Sequence, residues 1–147
     1  MEIAVLGLGC FWGPEDKFSK LEGVIKTEVG YCGGDSKETT YEKVCTGNTN
    51  HAEVVKLDFD PKVITYEKIL DFFFKIHDST TLNSQGPDFG TQYRSEIFYL
   101  SDKQKQIAEN AIEKMNSNLS GEVVTKYSLL KNYCPAEEYH QRYLEKR

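Results

Sequence analysis

Apolar residues along this chain fall into short runs, separated by longer segments in which they recur at helical spacing. The short runs predict strands, and they occupy residues 2–10, 24–31, 52–60, 94–100 and 122–130. The spaced segments predict helices, and they occupy residues 14–23, 65–78, 102–119 and 135–146. The resulting order is β-α-β-β-α-β-α-β-α, with hairpin-like and crossover connections mixed.

This order favours the α+β class. We expect a two-layer sandwich in which helices cover a mixed, largely antiparallel sheet with a ferredoxin-like core. No repeat, linker or low-complexity segment interrupts the sequence, so residues 1–147 are predicted to form one domain. The polar loop at 79–92 is long for a compact domain, and such loops are often functional.

Three predicted helices carry recognisable start signals. Pro14 suits a first helical position, where its missing N–H costs nothing. Thr65 is a predicted N-cap, and Ser101 with Gln104 predicts a capping box. Cys10 therefore falls just before the start of the first helix.

Charge and hydropathy narrow the classes of function. The formal net charge of −5 argues against a nucleic-acid partner. No apolar run approaches the roughly 20 residues that span a bilayer, and the N-terminus lacks the basic start and cleavage site of a signal peptide. A cytoplasmic location with no membrane partner is expected.

The four cysteines, Cys10, Cys32, Cys45 and Cys134, are far apart and form no CxxC pair. In a reducing compartment they are not expected to form structural disulfides. Cys45 and His51 are the nearest pair of possible zinc ligands, and two isolated ligands are a weak signal. No metal site is predicted, and no cofactor-binding pattern occurs.

The segment GLGCFWGPE, residues 7–15, places Cys10 between glycines, an aromatic pair and a proline. A helix N-terminus favours the thiolate form that a nucleophilic cysteine needs. The flanking glycines permit close approach of a substrate, and Phe11 and Trp12 are candidate walls of an apolar pocket. The alternative is a buried structural cysteine after a buried strand. These residues leave both interpretations open.

Further along the chain, acidic and phenolic groups suit such a nucleophile. Glu53 begins a predicted strand, where an apolar pocket would raise its pKa and make it a general acid near neutral pH. A solvated strand-end carboxylate is the alternative. One loop brings Asp88, Tyr93 and Arg94 together, and a tyrosine hydroxyl can hold a polar substrate atom. Tyr41 offers the same hydroxyl, although nine tyrosines make such coincidences common.

Together these residues match a known family. The chain resembles peptide methionine sulfoxide reductase A through the segments GCFWG, GYCGG, TYEKVCTGNTNHAEVV, DFGTQYRS and PAEEYHQRYL. They occur in the family's order and cover nearly the whole chain, and GCFWG and GTQYRS are very specific. The resemblance implies thiol-dependent reduction of methionine-S-sulfoxide, free or in proteins, to methionine, which repairs oxidative damage.

The resemblance also implies a role for each matching residue. Cys10 is the nucleophile whose thiolate attacks the sulfoxide sulfur, and it is left as a sulfenic acid. Glu53 protonates the sulfoxide oxygen, and the hydroxyls of Tyr41 and Tyr93 hydrogen-bond to it. Asp88 helps to organise the site through water and neighbouring backbone.

The same resemblance makes Phe11 and Trp12 the walls that hold the substrate methyl group. Elementary chemistry agrees with these roles, since sulfoxide reduction needs a soft nucleophile, an acid for the oxygen and a shape that recognises a small methyl group. No cofactor is required.

The implied cycle needs a way to reduce the Cys10 sulfenic acid. Many relatives carry resolving cysteines in a C-terminal tail, and residues 1–147 are expected to be a catalytic domain without it. Cys32, in a glycine-rich turn, is the first candidate for an internal resolving cysteine and Cys134 the second, whereas Cys45 is expected to be a bystander. The alternative is a one-cysteine cycle in which glutathione, glutaredoxin or thioredoxin attacks the sulfenic acid directly.

Two other functions compete with this one. A thiol peroxidase or an acyl-transferring hydrolase would need a base beside Cys10. The sequence does not indicate that His51, His77 or His140 lies there. A non-enzymatic module that binds methionine sulfoxide or peptides on the same fold would be favoured if Cys10 were unreactive.

Overall fold

A six-stranded sheet organises the chain in the computed structural model, which describes residues 1–119 and 121–146. The strands are β1 Glu2–Leu8, β2 Val24–Cys32, β3 Ala52–Phe59, β4 Ser84–Gln85, β5 Asp88–Phe89, β6 Ser95–Tyr99, β7 Lys126–Leu129 and β8 Cys134–Pro135. The α-helices are α1 Trp12–Ser19, α2 Tyr41–Cys45, α3 Tyr66–Lys75 and α4 Asp102–Asn118, and 3-10 turns cover Thr91–Tyr93 and Glu138–His140. Within this described part of the chain, no helix combines the length and the apolar character needed to cross a membrane.

Strands and helices from the first two thirds of the chain form a ferredoxin-like core. The sheet has the order β7-β6-β1-β3-β2-β8, and its neighbours are antiparallel except for the parallel pair β6 and β7. Along the chain, β1, α1, β2, β3, α3 and β6 follow the β-α-β-β-α-β order of that core. The predicted α+β class with a mixed, largely antiparallel sheet is confirmed.

The main apolar core lies between the sheet and the helices. Side chains alternate across each strand, so Leu6 of β1 and Val55 of β3 share one buried cluster with Phe18 of α1 and Phe73 of α3. Glu53 lies two positions before Val55 on β3 and therefore points into the same layer. The alternation thus builds a carboxyl group into the apolar interior.

The opposite face of the sheet carries a smaller cluster. Val5, Val54 and Cys32 are buried there, and Leu130 and Tyr133 from the segment before β8 pack against them. Cys32 therefore lies on the face of β2 that points away from the helices.

Two of the predicted caps are present. Thr65 Oγ1 accepts a hydrogen bond from the Lys68 N–H (3.2 Å), and Ser101 Oγ accepts one from the Gln104 N–H (3.2 Å). The Gln104 side chain departs from the capping box, because its Oε1 accepts from the Leu100 N–H (2.9 Å) instead of closing on Ser101. Gln104 thus fastens the end of β6 to α4.

The predicted helix at 135–146 is wrong. Only β8 and a 3-10 turn are regular in this segment, and a φ of 48° at Arg142 interrupts any helical path. The reason is tertiary hydrogen bonding. Gln141 Oε1 accepts from the Val29 N–H of β2 (2.9 Å), and Gln141 Nε2 donates to the Val29 carbonyl (2.9 Å). The side chain of Gln141 thus extends the sheet edge in place of a helical backbone.

Other elements differ from prediction in extent. The predicted strand at 122–130 is ordered as a strand only over β7, and α2 has no counterpart in the prediction. The polar loop at 79–92 holds the β4–β5 hairpin and leads into a 3-10 turn. Both α2 and this hairpin contribute to the site described below.

Replacing Gln141 by leucine is expected to destabilise the fold. It leaves the buried Val29 N–H without a partner, and an unsatisfied buried group costs about 1–3 kcal/mol. The free energy of unfolding, measured by urea titration, should fall by about that amount. Gln106→Leu on the exposed face of α4 is the matched control, with an expected change of about 0.5 kcal/mol or less. An equal, small effect of both variants would contradict this account of the C-terminal segment.

Candidate active site

Cys10 lies in the short turn between β1 and α1. Gly9 has a φ of 99°, and a Cβ at this position would lie 2.9 Å from the Gln85 side chain, so the turn requires glycine. The helix begins at Trp12, two residues earlier than predicted from Pro14. Pro14 is accommodated because the first four N–H groups of a helix have no intrahelical partner. The half-buried Cys10 therefore sits at the helix start, as predicted.

The environment of Cys10 nevertheless disfavours its thiolate. The pKa of the Cys10 thiol is raised to about 11, chiefly by burial and to a smaller extent by the negative charges of Glu53 and Asp88, whereas a hydrogen bond from the Trp12 backbone acts in the opposite direction. The backbone at the helix start lowers this pKa as expected, but desolvation outweighs that contribution and the net shift is upward.

Glu53 is the most deeply placed carboxyl group near Cys10. It is 1% exposed, and burial raises its pKa to about 8, with a smaller contribution from the charge of Asp88. The Phe11 N–H donates to Glu53 Oε1 (3.3 Å), which lowers the pKa in part. Across residues 1–119 and 121–146, no group hydrogen-bonds to Oε2. Glu53 thus carries a proton at neutral pH and has a free oxygen from which to donate it.

Tyr41 and Tyr93 are two phenol groups whose pKa values respond to the charge of Glu53. Tyr41 opens α2, and Tyr93 ends the 3-10 turn that follows the β4–β5 hairpin. Burial and the charge of Glu53 raise the pKa of Tyr93 to about 12, and the pKa of Tyr41 is also raised, chiefly by burial. Both hydroxyls therefore remain protonated donors. Asp88 is half-buried on β5, and its charge acts on Cys10, Glu53 and Tyr93 alike.

The two aromatic residues after Cys10 have different surroundings. The Phe11 ring is 1% exposed and packs in the core, with its centroid 5.7 Å from the ring of Tyr31. Trp12 is half-buried and stacks on Tyr143 at 3.8 Å between ring centroids. Its indole N–H donates to His140 Nδ1 (3.0 Å). Trp12 is therefore a fixed aromatic surface, whereas Phe11 acts from within the core and through its N–H.

The C-terminal segment supplies residues that sequence reasoning did not single out. Glu137 accepts hydrogen bonds from the Tyr31 hydroxyl (2.8 Å) and from the Tyr41 N–H (2.9 Å). The buried His140 ring lies 5.3 Å from Phe11 and 4.4 Å from Tyr41 between ring centroids. In the sequence, Glu137 and His140 are marked only by the family segment PAEEYHQRYL. The predicted helix over this segment did not indicate that both side chains point into the protein.

Within the described residues, none of the three histidines is hydrogen-bonded to the Cys10 thiol. His51 ring nitrogens bond to the Gly34 N–H and to the Ser36 carbonyl, and His140 Nδ1 is occupied by the indole of Trp12. His77 lies between α3 and β6, bonded to the Phe73 carbonyl and the Ser95 hydroxyl, and burial lowers its pKa to about 4. Both ring nitrogens of His51 and His77 are thus engaged away from Cys10, whereas His140 Nε2 is buried without a hydrogen-bond partner among the described residues.

The other cysteines are distributed unlike the prediction. Cys32 is buried on the far face of the sheet, where its charged neighbours are Glu96 and Arg94, so the structure does not bring it to Cys10. Cys134, on the edge strand β8, directs its thiol to the Thr39 carbonyl (3.8 Å). Cys45, expected to be a bystander, is exposed at the end of α2, where the pKa of its thiol is raised chiefly by partial burial and lowered in part by the nearby Tyr41 hydroxyl.

The part of the chain that the structure describes contains no group of three or more histidine, cysteine, aspartate or glutamate side chains that could hold a metal ion.

The site combines a thiol, a proton-bearing carboxyl group and two phenols beside a ferredoxin-like sheet. This combination defines the class as a cysteine-dependent enzyme.

Comparison with known proteins identifies the family. A model of the peptide methionine sulfoxide reductase family matches residues 2–147. Peptide methionine sulfoxide reductase MsrA of Pelagibacter ubique is 86% identical over 147 residues, which is all of both chains. The crystal structure of reduced Mxr1 from Saccharomyces cerevisiae superposes with a TM-score of 0.93 at 41% identity, covering 99% of this chain and 85% of Mxr1. Mxr1 in complex with Trx2 is similar at a TM-score of 0.68 and 28% identity, over 97% of this chain and 84% of that one.

The chain belongs to the peptide methionine sulfoxide reductase family. It is an oxidoreductase that acts on methionine sulfoxide.

Replacing Glu53 by glutamine should lower the pKa of Cys10. Above about pH 8 Glu53 is ionised and repels the thiolate, and a neutral amide removes that repulsion, so thiolate forms at lower pH. The test is the rate of Cys10 alkylation by iodoacetamide against pH, read from the Cys10 peptide by mass spectrometry. Glu22→Gln, at an exposed carboxylate, is the control and should leave the titration unchanged. A Cys10 titration that stays in place in both variants would contradict the coupling.

Proposed function

We propose that this chain reduces methionine-S-sulfoxide, free or within proteins, with residues 1–147 acting as one catalytic domain. The observation that carries the mechanism is Glu53: a buried carboxyl group that keeps its proton at neutral pH, hydrogen-bonded to the backbone next to Cys10. A sulfoxide oxygen leaves sulfur only when its developing charge is neutralised, and a proton-bearing acid supplies that neutralisation.

In the proposed reaction, the Cys10 thiolate attacks the sulfoxide sulfur while Glu53 protonates the oxygen. The sulfur–oxygen bond of the substrate breaks, and the oxygen passes to Cys10 as a hydroxyl group. Two electrons move from the cysteine sulfur to the substrate sulfur. Methionine leaves, and Cys10 is left as a sulfenic acid.

The remaining groups hold the oxygen and the methyl group in place. Tyr41 and Tyr93 are proposed to donate hydrogen bonds to the sulfoxide oxygen, a role supported by raised pKa values that keep both hydroxyls protonated. Asp88 is proposed to organise this side of the site. The fixed surface of Trp12, backed by Phe11, is proposed to receive the methyl group.

Such an arrangement distinguishes the two sulfur epimers. Cys10 approaches the sulfur itself, while Glu53 and Trp12 meet two different substituents of that sulfur, the oxygen and the methyl group. Exchanging oxygen and methyl therefore breaks two contacts together. The preferred hand, S, follows from the resemblance to the family.

Thioredoxin is the reductant that we propose. Support comes from the similarity to Mxr1, which forms a complex with Trx2. Glutaredoxin and glutathione are the alternatives, and steady-state assays that supply one reductant at a time separate the three.

The epimer preference is tested with dithiothreitol as the reductant and each epimer of methionine sulfoxide as the substrate. The S epimer should be turned over faster than the R epimer by about two orders of magnitude, because its oxygen reaches a hydrogen-bonding site. Cys10→Ser should abolish turnover, and Cys134→Ser should retain it. Equal turnover of both epimers would argue against the proposed site.

Glu53→Gln should lower the single-turnover rate by about 10²–10⁴, the usual contribution of a general acid. The wild-type rate should rise through about pH 8, because there the pair of Cys10 and Glu53 loses the first of its two protons. It should decline only towards about pH 11, where the pair loses the second proton. In the variant the limb at about pH 8 should disappear, because only the thiol titrates. The measurement is methionine release against pH in rapid-quench experiments, with Glu22→Gln as the control. An unchanged profile in Glu53→Gln would make the acid assignment wrong.

A further inference from the structure

The sulfenic acid left on Cys10 must be reduced, and the position of the other three cysteines decides whether the chain itself can supply the second sulfur. A disulfide forms only when the two Cα atoms approach within about 7 Å. Cys32 is buried on the face of the sheet opposite to Glu53, so its side chain points away from the site, and cysteines whose Cβ vectors point apart cannot be bridged without backbone movement.

Cys134 is separated from the site by an intervening side chain. On the edge strand β8 it pairs with Tyr31 of β2, and Tyr31 in turn pairs with Glu53 of β3, so Tyr31 stands between them. The Tyr31 hydroxyl is fixed by its hydrogen bond to Glu137 (2.8 Å). The Cys134 thiol itself turns towards the Thr39 and Pro135 carbonyls.

Cys45 occupies a different position, on the same helical face as Tyr41. The two residues are the first and last of α2, and positions i and i+4 of a helix are neighbours. The Tyr41 ring lies against His140 at 4.4 Å, and His140 lies against Phe11 at 5.3 Å, next to Cys10 in the chain. Partial burial raises the pKa of the Cys45 thiol, and the Tyr41 hydroxyl lies close enough to that thiol to lower its pKa in part.

Electrostatic coupling agrees with this chain of contacts. The charge of a Cys45 thiolate acts on Cys10, on Tyr41 and on Tyr93, and the charge of Glu53 acts on Cys45. Cys45 therefore belongs to the group of side chains that surrounds the proposed sulfoxide position.

We propose that Cys45 is the resolving cysteine of this enzyme, and that an external dithiol protein attacks the resulting disulfide at Cys45. The proposal rests on the proposed formation of a sulfenic acid at Cys10. The Cys45 sulfur attacks the Cys10 sulfur, the Cys10 sulfur–oxygen bond breaks, and the hydroxyl leaves as water with the proton of the Cys45 thiol. A Cys10–Cys45 disulfide is formed, at the oxidation level of the sulfenic acid it replaces.

The exposure of the two sulfurs indicates which of them the external thiolate attacks in the second step, the reduction of the disulfide. Cys45 is exposed, whereas Cys10 is half-buried between β1 and α1. An incoming thiolate reaches the outer sulfur, forms a mixed disulfide with Cys45 and releases Cys10 as the leaving thiol. Its partner thiol then frees Cys45, so two electrons from the dithiol restore the starting state.

Local structure allows the approach of the two sulfurs. α2 is a single short helix with only Val44 fully buried, and it ends in a loop where Gly47 has a φ of 78° and open space around its Cα. Closing the disulfide therefore moves a short exposed segment and leaves the sheet in place.

The decisive experiment is one turnover with methionine-S-sulfoxide in the absence of reductant, followed by thiol counting, trapping with dimedone and peptide mass spectrometry. The wild-type chain should lose two of its four thiols and yield a Cys10–Cys45 peptide. Cys45→Ser should lose only the Cys10 thiol, which should be recovered as the dimedone adduct of the sulfenic acid. Cys134→Ser is the matched control and should give the wild-type result.

The same samples separate failure of this inference from failure of the proposed function. About one methionine per chain should form in wild type and in Cys45→Ser, because the amplitude depends on Cys10 alone. Methionine release with a persistent wild-type sulfenic acid, or with a disulfide from Cys10 to another cysteine, would overturn the role of Cys45 and leave the function standing. No methionine from wild type would overturn both.

Steady-state rates provide a second readout. With thioredoxin, Cys45→Ser should fall on the order of tenfold or more, because an intramolecular thiol at high effective concentration is lost. A thioredoxin variant lacking its own resolving cysteine should form a mixed disulfide with Cys45 in the oxidised wild-type chain. A mixed disulfide at Cys10 instead would contradict the assignment.

Discussion

The hydrogen bond from the Phe11 N–H to Glu53 (3.3 Å) joins the two parts of the chain on which the site depends. It fixes the turn that carries Cys10 against the central strand β3, and it is the only protein donor to Glu53 within the described residues. One donor is too little to compensate for burying a carboxylate, so the proton is retained. The same burial that makes Glu53 an acid also opposes a second negative charge on Cys10. Acid strength and thiol ionisation are therefore two results of one desolvated pocket.

The C-terminal segment, residues 135–146, completes this pocket through an irregular backbone path. Gln141 bonds to the backbone of β2, and Glu137 holds both Tyr31 and the first residue of α2. His140 fixes the indole of Trp12 from the same segment. A continuous helix could not direct these side chains to a strand edge, a helix N-terminus and an indole together. The irregular path thus brings into contact residues that are more than 90 positions apart in the sequence.

Sequence patterns predicted the scaffold well because its strands and long helices are defined by local alternation and spacing. The sequence left open whether Glu53 is buried or solvated, and the structure places it in the buried layer of β3. Prediction failed where contacts distant in sequence decide: the segment at 135–146 has local helix signals, and tertiary hydrogen bonds override them. The cysteines show this most directly. Cys32 and its neighbour Tyr31 point to opposite faces of β2, and only the strand register reveals which of them reaches the site.

A raised thiol pKa has a chemical advantage in this setting. Oxidants react with thiolates, so a thiol that stays protonated in the resting enzyme is protected from indiscriminate oxidation. A thiolate of high pKa is also intrinsically more nucleophilic once it forms. Because an ionised Glu53 opposes a charge on Cys10, the form of the pair that holds a thiolate together with one proton has that proton on Glu53. The electrostatic conflict thereby couples nucleophile and acid: this singly protonated form offers a thiolate to the sulfur and a proton to the sulfoxide oxygen.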